Sequence, residues 1–292
     1  MKLKTLLGDY AGTAALKKGE VRSDKVSFDF ADVKVPSSAF KRVVRNLEFD
    51  VAELALITYL IARAHNKPIV LLPAVVVARF QHPFLIYNSE RGLIKPGDLA
   101  GKRIGIRSYS VTTSAWLRGI LAADFGVKPE SVTWVTFEDP HVAEFKDPAN
   151  VERATEGDDL GQMLIEGRID AAVGTDRGPD DPRFKTVFAD PKAAGEDWHR
   201  RNGAIQINHM VTVSASLSKE HPEVVREIYR LLVESKKAAG LPKGDGPDLA
   251  PMGVETNRRN LEVAIEYCYR GGLIPRKYAV EELFDDTTRA LN

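Results

Sequence analysis

The feature that most constrains the fold is an apolar run at residues 69–77, IVLLPAVVV, which follows Pro68 and contains Pro73. A strand that is buried on both faces has this composition, and such strands are typical of parallel sheets covered by helices. Short strand patterns and helical patterns alternate on both sides of the run. This order predicts an α/β chain whose sheets are largely parallel. Because Pro73 and Arg79 interrupt it, the run is not expected to cross a bilayer.

The chain before residue 89 completes one set of these alternating elements. Besides the run above, the pattern predicts strands at 2–7, 26–30 and 49–52 and helices at 11–18, 37–46 and 54–64. This assignment places Glu53 at the start of an apolar helix. An acid in a first turn is favoured by the helix dipole, so a plain structural role competes with a functional one.

The pattern restarts after residue 88. It predicts strands at 103–106, 132–137, 169–173 and 210–214, and helices at 112–125, 159–166, 222–239 and 255–269. The charged segment 138–158 lacks periodicity and is predicted to be a loop. A chain of 292 residues is comfortable for two lobes.

A polar turn between a strand and a helix, within KRIGIRSYSVTTSAWLRGIL, is the first candidate site. The hydrogen-bonding side chains of this turn are Arg107, Ser108, Tyr109, Ser110, Thr112 and Thr113. Backbone N–H groups at a helix start accept carboxylate or phosphate oxygens, to which the hydroxyls and the arginine add donors. No glycine-rich phosphate loop is present, which favours a carboxylate. The alternative is an ordinary N-cap formed by Ser110 or Thr112.

Three further groups follow or precede predicted strands, where ligands bind in open α/β sheets. Arg79 and His82 follow the apolar run, and offer a carboxylate clamp and a group that can transfer a proton near neutral pH. The pair Asn208 and His209 precedes a strand. Thr175 and Arg177 follow another strand. For each group taken alone, a surface ion pair or a structural histidine is the more common role.

Composition excludes several classes of partner. Lysine plus arginine (41) balance aspartate plus glutamate (41), so no global field attracts nucleic acid or an anionic membrane. The single cysteine, Cys268, excludes an intramolecular disulfide, and we find no metal-ligand spacing. The N-terminus lacks the apolar stretch of a secretory signal, so we expect a cytoplasmic protein, or a periplasmic one if a leader has been removed. Homo-oligomerisation remains open.

Several phrases, in a fixed order over nearly the whole chain, carry a family resemblance. They are FDVAELALITY, RFQHPFLIYN, DLAGKRIGI, TTSAWLRGILAADFGV, LGQMLIEGRIDAAV, INHMVTVS with HPEVVREIYRLL, and MGVETNRRNLE with ELF. Together they resemble the 4,5-dihydroxyphthalate decarboxylase family. The resemblance implies a two-lobed type II periplasmic-binding-protein-like fold, each lobe a mixed, mainly parallel sheet flanked by helices, with a ligand cleft between the lobes. Residues 1–88 and 207–292 would form the first lobe and 89–206 the second, with a two-stranded hinge near 86–90 and 205–209.

The resemblance also implies an activity: cofactor-independent decarboxylation of a hydroxylated aromatic mono- or dicarboxylic acid. His82 and His209 are then the candidate proton donors, with Glu53 as a further catalytic group. Substrate would be bound by Tyr10, Arg79, Arg107, Ser108, Tyr109, Ser110, Thr112, Thr113, Thr175, Arg177 and Asn208. The chain departs from the family pattern at Gln81, Ser108 and Ser110, which puts the substrate in question more than the fold.

Two other functions use the same fold, because a fold does not fix a function. The first is a non-catalytic binding protein, either a solute receptor of an ABC transporter or a sensor of an aromatic or other carboxylate. The second is a biosynthetic enzyme with its own substrate chemistry.

Overall fold

A computed structural model describes residues 1–174 and 181–292 of the chain. Its strands are β1 (Lys2–Leu6), β2 (Ser27–Phe30), β3 (Val51–Ala55), β4 (Ile69–Ala78), β5 (Leu85–Asn88), β6 (Arg103–Ile106), β7 (Thr133–Thr136), β8 (Val151–Arg153), β9 (Ala171–Val173), β10 (Phe184–Thr186) and β11 (Ile207–Ser214). Its α-helices are α1 (Ala14–Lys17), α2 (Phe40–Asn46), α3 (Leu56–Ala64), α4 (Thr112–Phe125), α5 (Leu160–Glu166), α6 (Pro191–Asn202), α7 (Ala215–Glu220), α8 (Pro222–Ala238) and α9 (Val254–Arg270). Short 3₁₀ turns connect several of them.

The chain divides into two compact units. The first contains Met1–Arg79, Ile207–Ile265 and Arg276–Asn292, and the second contains Phe80–Gln206 and Glu266–Pro275. Residues 80–88, which the sequence analysis placed in the first lobe, lie in the second unit because β5 pairs with β9 and β10. The end of α9 also belongs to the second unit, where the Tyr109 hydroxyl donates a hydrogen bond to the Gly271 carbonyl. The predicted hinge stays a prediction.

The first unit is built on a five-stranded mixed sheet of order β2-β1-β3-β11-β4. Strands β1, β2 and β3 are parallel, and β11 runs antiparallel to both of its neighbours, β3 and β4. Helix α8 packs on one face, and its periodic apolar side joins Leu72 and Val211 in a buried core. This sheet brings the carboxyl ends of β1, β3 and β4 to one edge, together with the start of β11.

The second unit is built on a six-stranded mixed sheet of order β10-β5-β9-β6-β7-β8. Strands β9, β6, β7 and β8 are parallel, whereas β5 runs antiparallel to both β9 and β10. Its core includes Val135, Leu164 and Ile169. Both sheets are mixed and flanked by helices, as the family resemblance implies.

The structure corrects the predicted elements at two places that matter for the site. Glu53 lies inside strand β3 and not in the first turn of a helix, because β3 continues to Ala55 and α3 begins at Leu56. All five residues of β3 are buried, so this stretch has no alternation by which to find its end. Within the segment predicted to be a loop, Val151–Arg153 forms β8 and pairs with β7. In the part of the chain that the structure describes, no helix combines the length and the apolar character needed to span a membrane.

Candidate functional site

A fully buried carboxylate, that of Glu53, is the centre of the candidate site in the first unit. Its side chain is 0% exposed and accepts three hydrogen bonds. The Gly8 backbone N–H donates to Oε2 at 2.8 Å, whereas the Tyr10 hydroxyl (2.5 Å) and His209 Nδ1 (2.6 Å) both meet Oε1. A buried carboxylate is tolerated only when its oxygens are satisfied in this way. We call Glu53, Tyr10 and His209 the Glu53 cluster.

The turn after β1 places Tyr10 against this carboxylate. The turn is closed by Thr13, whose hydroxyl accepts a hydrogen bond from the Tyr10 N–H and donates one to the Gly8 carbonyl. The Tyr10 ring lies directly over Gly8, where a Cβ would come within 2.5–2.7 Å of the ring atoms. Glycine is therefore required at position 8 for the Tyr10 hydroxyl to reach Glu53.

His209 is positioned by sheet register. It stands opposite Ala55 of β3 and Val77 of β4, which brings its ring to the end of β3 and edge-on to Phe40, with ring centroids 5.1 Å apart. The bond from Nδ1 to Glu53 fixes the orientation of the ring and leaves Nε2 as the nitrogen that can act on a ligand. The His209 side chain is 19% exposed, so the ring is reachable whereas its carboxylate partner is not.

Two other predicted residues lie at the same edge of the sheet. Arg79 directly follows β4 and is half-buried, and Asn208, which precedes His209 in β11, is 4% exposed. The structure therefore brings five of the predicted residues, Tyr10, Glu53, Arg79, Asn208 and His209, to one edge of the first sheet. These residues could supply a cation, an amide and a proton-transfer group.

The second unit contains the polar turn that precedes α4, and Tyr109 within it has a packing role. The ring is 1% exposed, and the Arg118 guanidinium lies over its face at 3.7 Å from the ring centroid. The Tyr109 hydroxyl donates to the Gly271 carbonyl at 3.0 Å. The sequence analysis proposed Tyr109 as a substrate-binding residue, but in the structure Arg118 covers a face of its ring and its hydroxyl is bonded to Gly271.

The start of α4 has the properties of an anion-binding helix terminus. The N-cap residue is Val111, and no side chain caps the helix, so the ordinary cap by Ser110 or Thr112 is not formed. Within the described residues, the hydroxyls of Thr112 (4% exposed) and Ser114 (0% exposed) have no hydrogen-bond partner. Ser108 and Ser110 are also buried, and their hydroxyls bond each other at 3.2 Å. Unpaired N–H groups and buried hydroxyls at one helix start favour an anionic ligand. Ser114 was missed by the sequence analysis, although it continues the run TTS.

The remaining predicted residues of the second unit are more dispersed. The Arg107 side chain is 36% exposed, and its Nε lies 3.8 Å from a Glu138 carboxylate oxygen. Thr113 is half-buried at the second position of α4. Thr175 and Arg177 lie outside the described residues.

His82 is a buried histidine of the second unit. It is 2% exposed and lies edge-on to Phe188, with ring centroids 4.8 Å apart. Burial, which penalises the charged form, lowers the pKa of His82 to about 4, and the nearby Asp124 offsets part of this effect. His82 is therefore neutral at pH 7. Among residues 1–174 and 181–292, no group of three or more His, Cys, Asp or Glu side chains is arranged to hold a metal ion.

Comparison with known proteins identifies the family. A 4,5-dihydroxyphthalate decarboxylase from Comamonas testosteroni is 31% identical over 253 residues, which are 82% of this chain and 76% of that protein. An enzyme of the same name from Pseudomonas putida is 33% identical over 213 residues, which are 68% of this chain and 82% of that enzyme. The chain belongs to the 4,5-dihydroxyphthalate decarboxylase family. The resemblance seen in the sequence phrases is thus confirmed.

Two further comparisons concern the fold. Residues 33–147 match the family described as NMT1/THI5 like. The alkanesulfonate-binding protein SsuA from Xanthomonas axonopodis pv. citri, solved with bound MOPS, is similar in structure with a TM-score of 0.61. It is 15% identical, and the match covers 97% of this chain and 98% of SsuA. This member of the decarboxylase family therefore has the periplasmic-binding-protein fold, as predicted.

Proposed function

We propose that the protein is a decarboxylase of a hydroxylated aromatic mono- or dicarboxylic acid. The observation that carries the proposal is the Glu53 cluster, in which a buried carboxylate orients a partly exposed imidazole. General acid–base catalysis requires a proton-transfer group that is reachable by substrate and held in one orientation. The names of the two curated relatives support the reaction class.

His209 is the proposed proton donor. Its protonated ring gives the Nε2 proton to the ring carbon that bears the leaving carboxylate, while a ring hydroxyl para to that carbon supplies electron density. The carbon–carboxylate bond then breaks, its electron pair restores the aromatic ring, and CO2 leaves. The neutral imidazole regains a proton from solvent. Glu53 stabilises the imidazolium before the transfer, in the way that a buried carboxylate supports a catalytic histidine elsewhere.

The substrate carboxylates require cationic or N–H partners. Arg79 offers a guanidinium at the edge of the first sheet. Within the second unit, the uncapped start of α4 with Thr112 is a separate candidate for binding an anion through N–H and hydroxyl donors. Arg177, which lies outside the described residues, stays a hypothetical partner for a substrate carboxylate.

His82 suits the donor role less well than His209. With a pKa of about 4 it carries no proton to donate as an imidazolium at neutral pH, and its ring is packed against Phe188. We therefore assign His82 a structural role in this proposal.

The decisive experiment incubates the purified protein in D2O with a panel of hydroxylated benzene mono- and dicarboxylates, 4,5-dihydroxyphthalate included, and follows CO2 release. The proposal expects CO2 and a product with one deuterium at the carbon that lost the carboxylate. His209→Gln should lower the rate of release by about 10²–10⁴-fold. His221→Gln, at a partly exposed histidine of the same unit, should leave the rate unchanged.

The competing function is binding without turnover, which the fold shared with SsuA also permits. Absence of CO2 release from every compound, together with a rise in melting temperature for some of them, would refute the decarboxylase proposal and favour a receptor or sensor. Arg79→Ala should weaken the interaction in either case, because both functions require a partner for the carboxylate.

A further inference from the structure

A cavity of about 350 Å³ lies within the first unit; it shares Tyr10 with the Glu53 cluster, whereas Glu53 and His209 are not among its described lining residues. Its walls are the turn 10–13, the last four residues of β4, the carboxyl-terminal part of α8 and the segment 241–252. The volume falls at the lower end of the range for small-molecule sites. It is therefore suited to a compact ligand.

The walls of this cavity are mostly apolar, with an unusual cation among them. Val75, Leu232 and Met252 are typical of the lining, and the Tyr10 ring closes one side. Lys236 projects from α8 with a side chain that is only 11% exposed, and its ammonium forms an ion pair of 2.5 Å with Asp248. The charged side chains of the lining are two lysines (Lys236 and Lys243) and one aspartate, which leaves one positive charge in excess.

The Asp248 carboxylate is an internal partner that a ligand can replace. It is more exposed than Lys236, at 29%, and it belongs to the irregular segment after α8. Its other oxygen accepts a hydrogen bond from the Ala250 N–H, a bond that an amide oxygen can also accept. A ligand carboxylate that met Lys236 would keep the lysine paired while Asp248 turned towards solvent.

We propose that this cavity is a second ligand site, which binds a small apolar monocarboxylate with Lys236 as its ionic partner. The apolar walls would hold the body of the ligand, and its single carboxylate would take the place of Asp248 as the partner of Lys236. The site is distinct from the proposed reaction centre, and the proposal does not depend on decarboxylase activity.

Benzoate and its neutral analogue benzamide are the probes, and binding is measured by titration calorimetry on the full chain. We expect benzoate to bind at least about tenfold more tightly than benzamide, since only benzoate can pair with Lys236. Gly12→Leu fills the cavity: a Cβ at Gly12 meets only the Leu241 side chain, at 3.5 Å, and Gly12 has no left-handed backbone conformation. It should weaken benzoate binding about tenfold or more. Gly97→Leu, where a Cβ meets nothing within 4 Å in the second unit, should leave binding unchanged.

Asp248→Asn distinguishes a ligand site from a purely structural ion pair. The variant removes the competing carboxylate but keeps an oxygen for the Ala250 N–H, so benzoate should bind several-fold more tightly. An ion pair that serves only to hold the segment 241–252 predicts weaker or unchanged binding instead, and that result would overturn the proposal. So would equal benzoate affinity in Gly12→Leu and the unaltered protein. Binding that is unchanged in Arg79→Ala and His209→Gln but strengthened in Asp248→Asn would separate this site from the reaction centre.

Discussion

Replacing Glu53 by glutamine tests the centre of the proposed site with the smallest change of shape. In the native cluster two donors, the Tyr10 hydroxyl and His209 Nδ1, meet one carboxylate oxygen, and the Gly8 N–H meets the other. Glutamine keeps one oxygen and replaces the other by an NH2 group. If the amide oxygen faces Tyr10 and His209, the NH2 group faces the Gly8 N–H, and two donors oppose each other. If the amide is turned around, the Nδ1 of His209 must become an acceptor.

Both orientations have a cost that can be estimated. An unsatisfied buried donor costs about 1–3 kcal/mol, so we expect the free energy of unfolding to fall by about 2 kcal/mol in Glu53→Gln. The effect on catalysis should be larger. Without the carboxylate nothing in the cluster stabilises the imidazolium, and loss of an oriented acid lowers turnover by about 10²–10⁴-fold, or about 3–5 kcal/mol in the activation free energy.

The measurements are urea denaturation and CO2 release, each compared with Glu20→Gln, an exposed glutamate in the same unit. Because Glu53 is proposed to act through His209, the double variant Glu53→Gln/His209→Gln should turn over no more slowly than His209→Gln alone. Independent, multiplicative losses would refute this coupling. So would a Glu53→Gln protein with unchanged stability and unchanged turnover.

Three further changes test individual contacts. Gly8→Ala places a Cβ within 2.5–2.7 Å of the Tyr10 ring and should displace the Tyr10 hydroxyl from Glu53. The rate of CO2 release should then fall, while the circular dichroism spectrum stays unchanged. A normal rate of release would contradict the proposed role of the turn. Gly119→Ala, inside α4, places a Cβ against the Tyr267 ring. The cost of overpacking, about 1–3 kcal/mol, should outweigh the gain in helix propensity of about 1 kcal/mol. Urea denaturation should therefore show a net loss of stability. The pKa of His82 is about 4 in the folded protein, whereas the ordinary value is 6.5. As the pH falls, the unfolded chain therefore binds this proton before the folded protein does. The free energy of unfolding should fall by up to about 3 kcal/mol as the pH drops from 6.5 to 4. His82→Phe should remove that part of the pH dependence, and an unaltered pH profile of the unfolding free energy would show that His82 is not its source.

Elements with a clear period or a marked boundary were predictable from the sequence. The periodic segment at 222–239 became α8, because its apolar residues have the spacing of a helix. The apolar run at 69–77 has no period, and its continuous apolar composition after Pro68 predicted the buried strand β4 instead. The junction of β3 and α3 failed this test. Residues 51–62 are buried almost without exception, so neither a period of 2 nor one of 3.6 marks the change from strand to helix at Leu56.

The candidate residues were predictable one by one, but their grouping was not. Glu53 and His209 are 156 residues apart, and they meet because β11 pairs with β3 in a register that places His209 opposite Ala55. No local pattern encodes that register. Tyr109 shows a different limit: its place in a polar turn made it a binding candidate, but the buried Arg118 covers its ring.

The Glu53 cluster also bears on the choice between binding and turnover. A protein that only binds a carboxylate ligand gains nothing from the Glu53 carboxylate at the same sheet edge, since the two negative charges repel each other. Glu53 is moreover fully buried, which carries a cost in desolvation that only its three donors offset. The proposed decarboxylation does use this group, because Glu53 fixes the orientation of the His209 ring whose Nε2 is to deliver a proton to the substrate. The desolvation cost of burying Glu53 beside the partly exposed His209 ring is therefore easier to explain by proton transfer than by ligand binding alone.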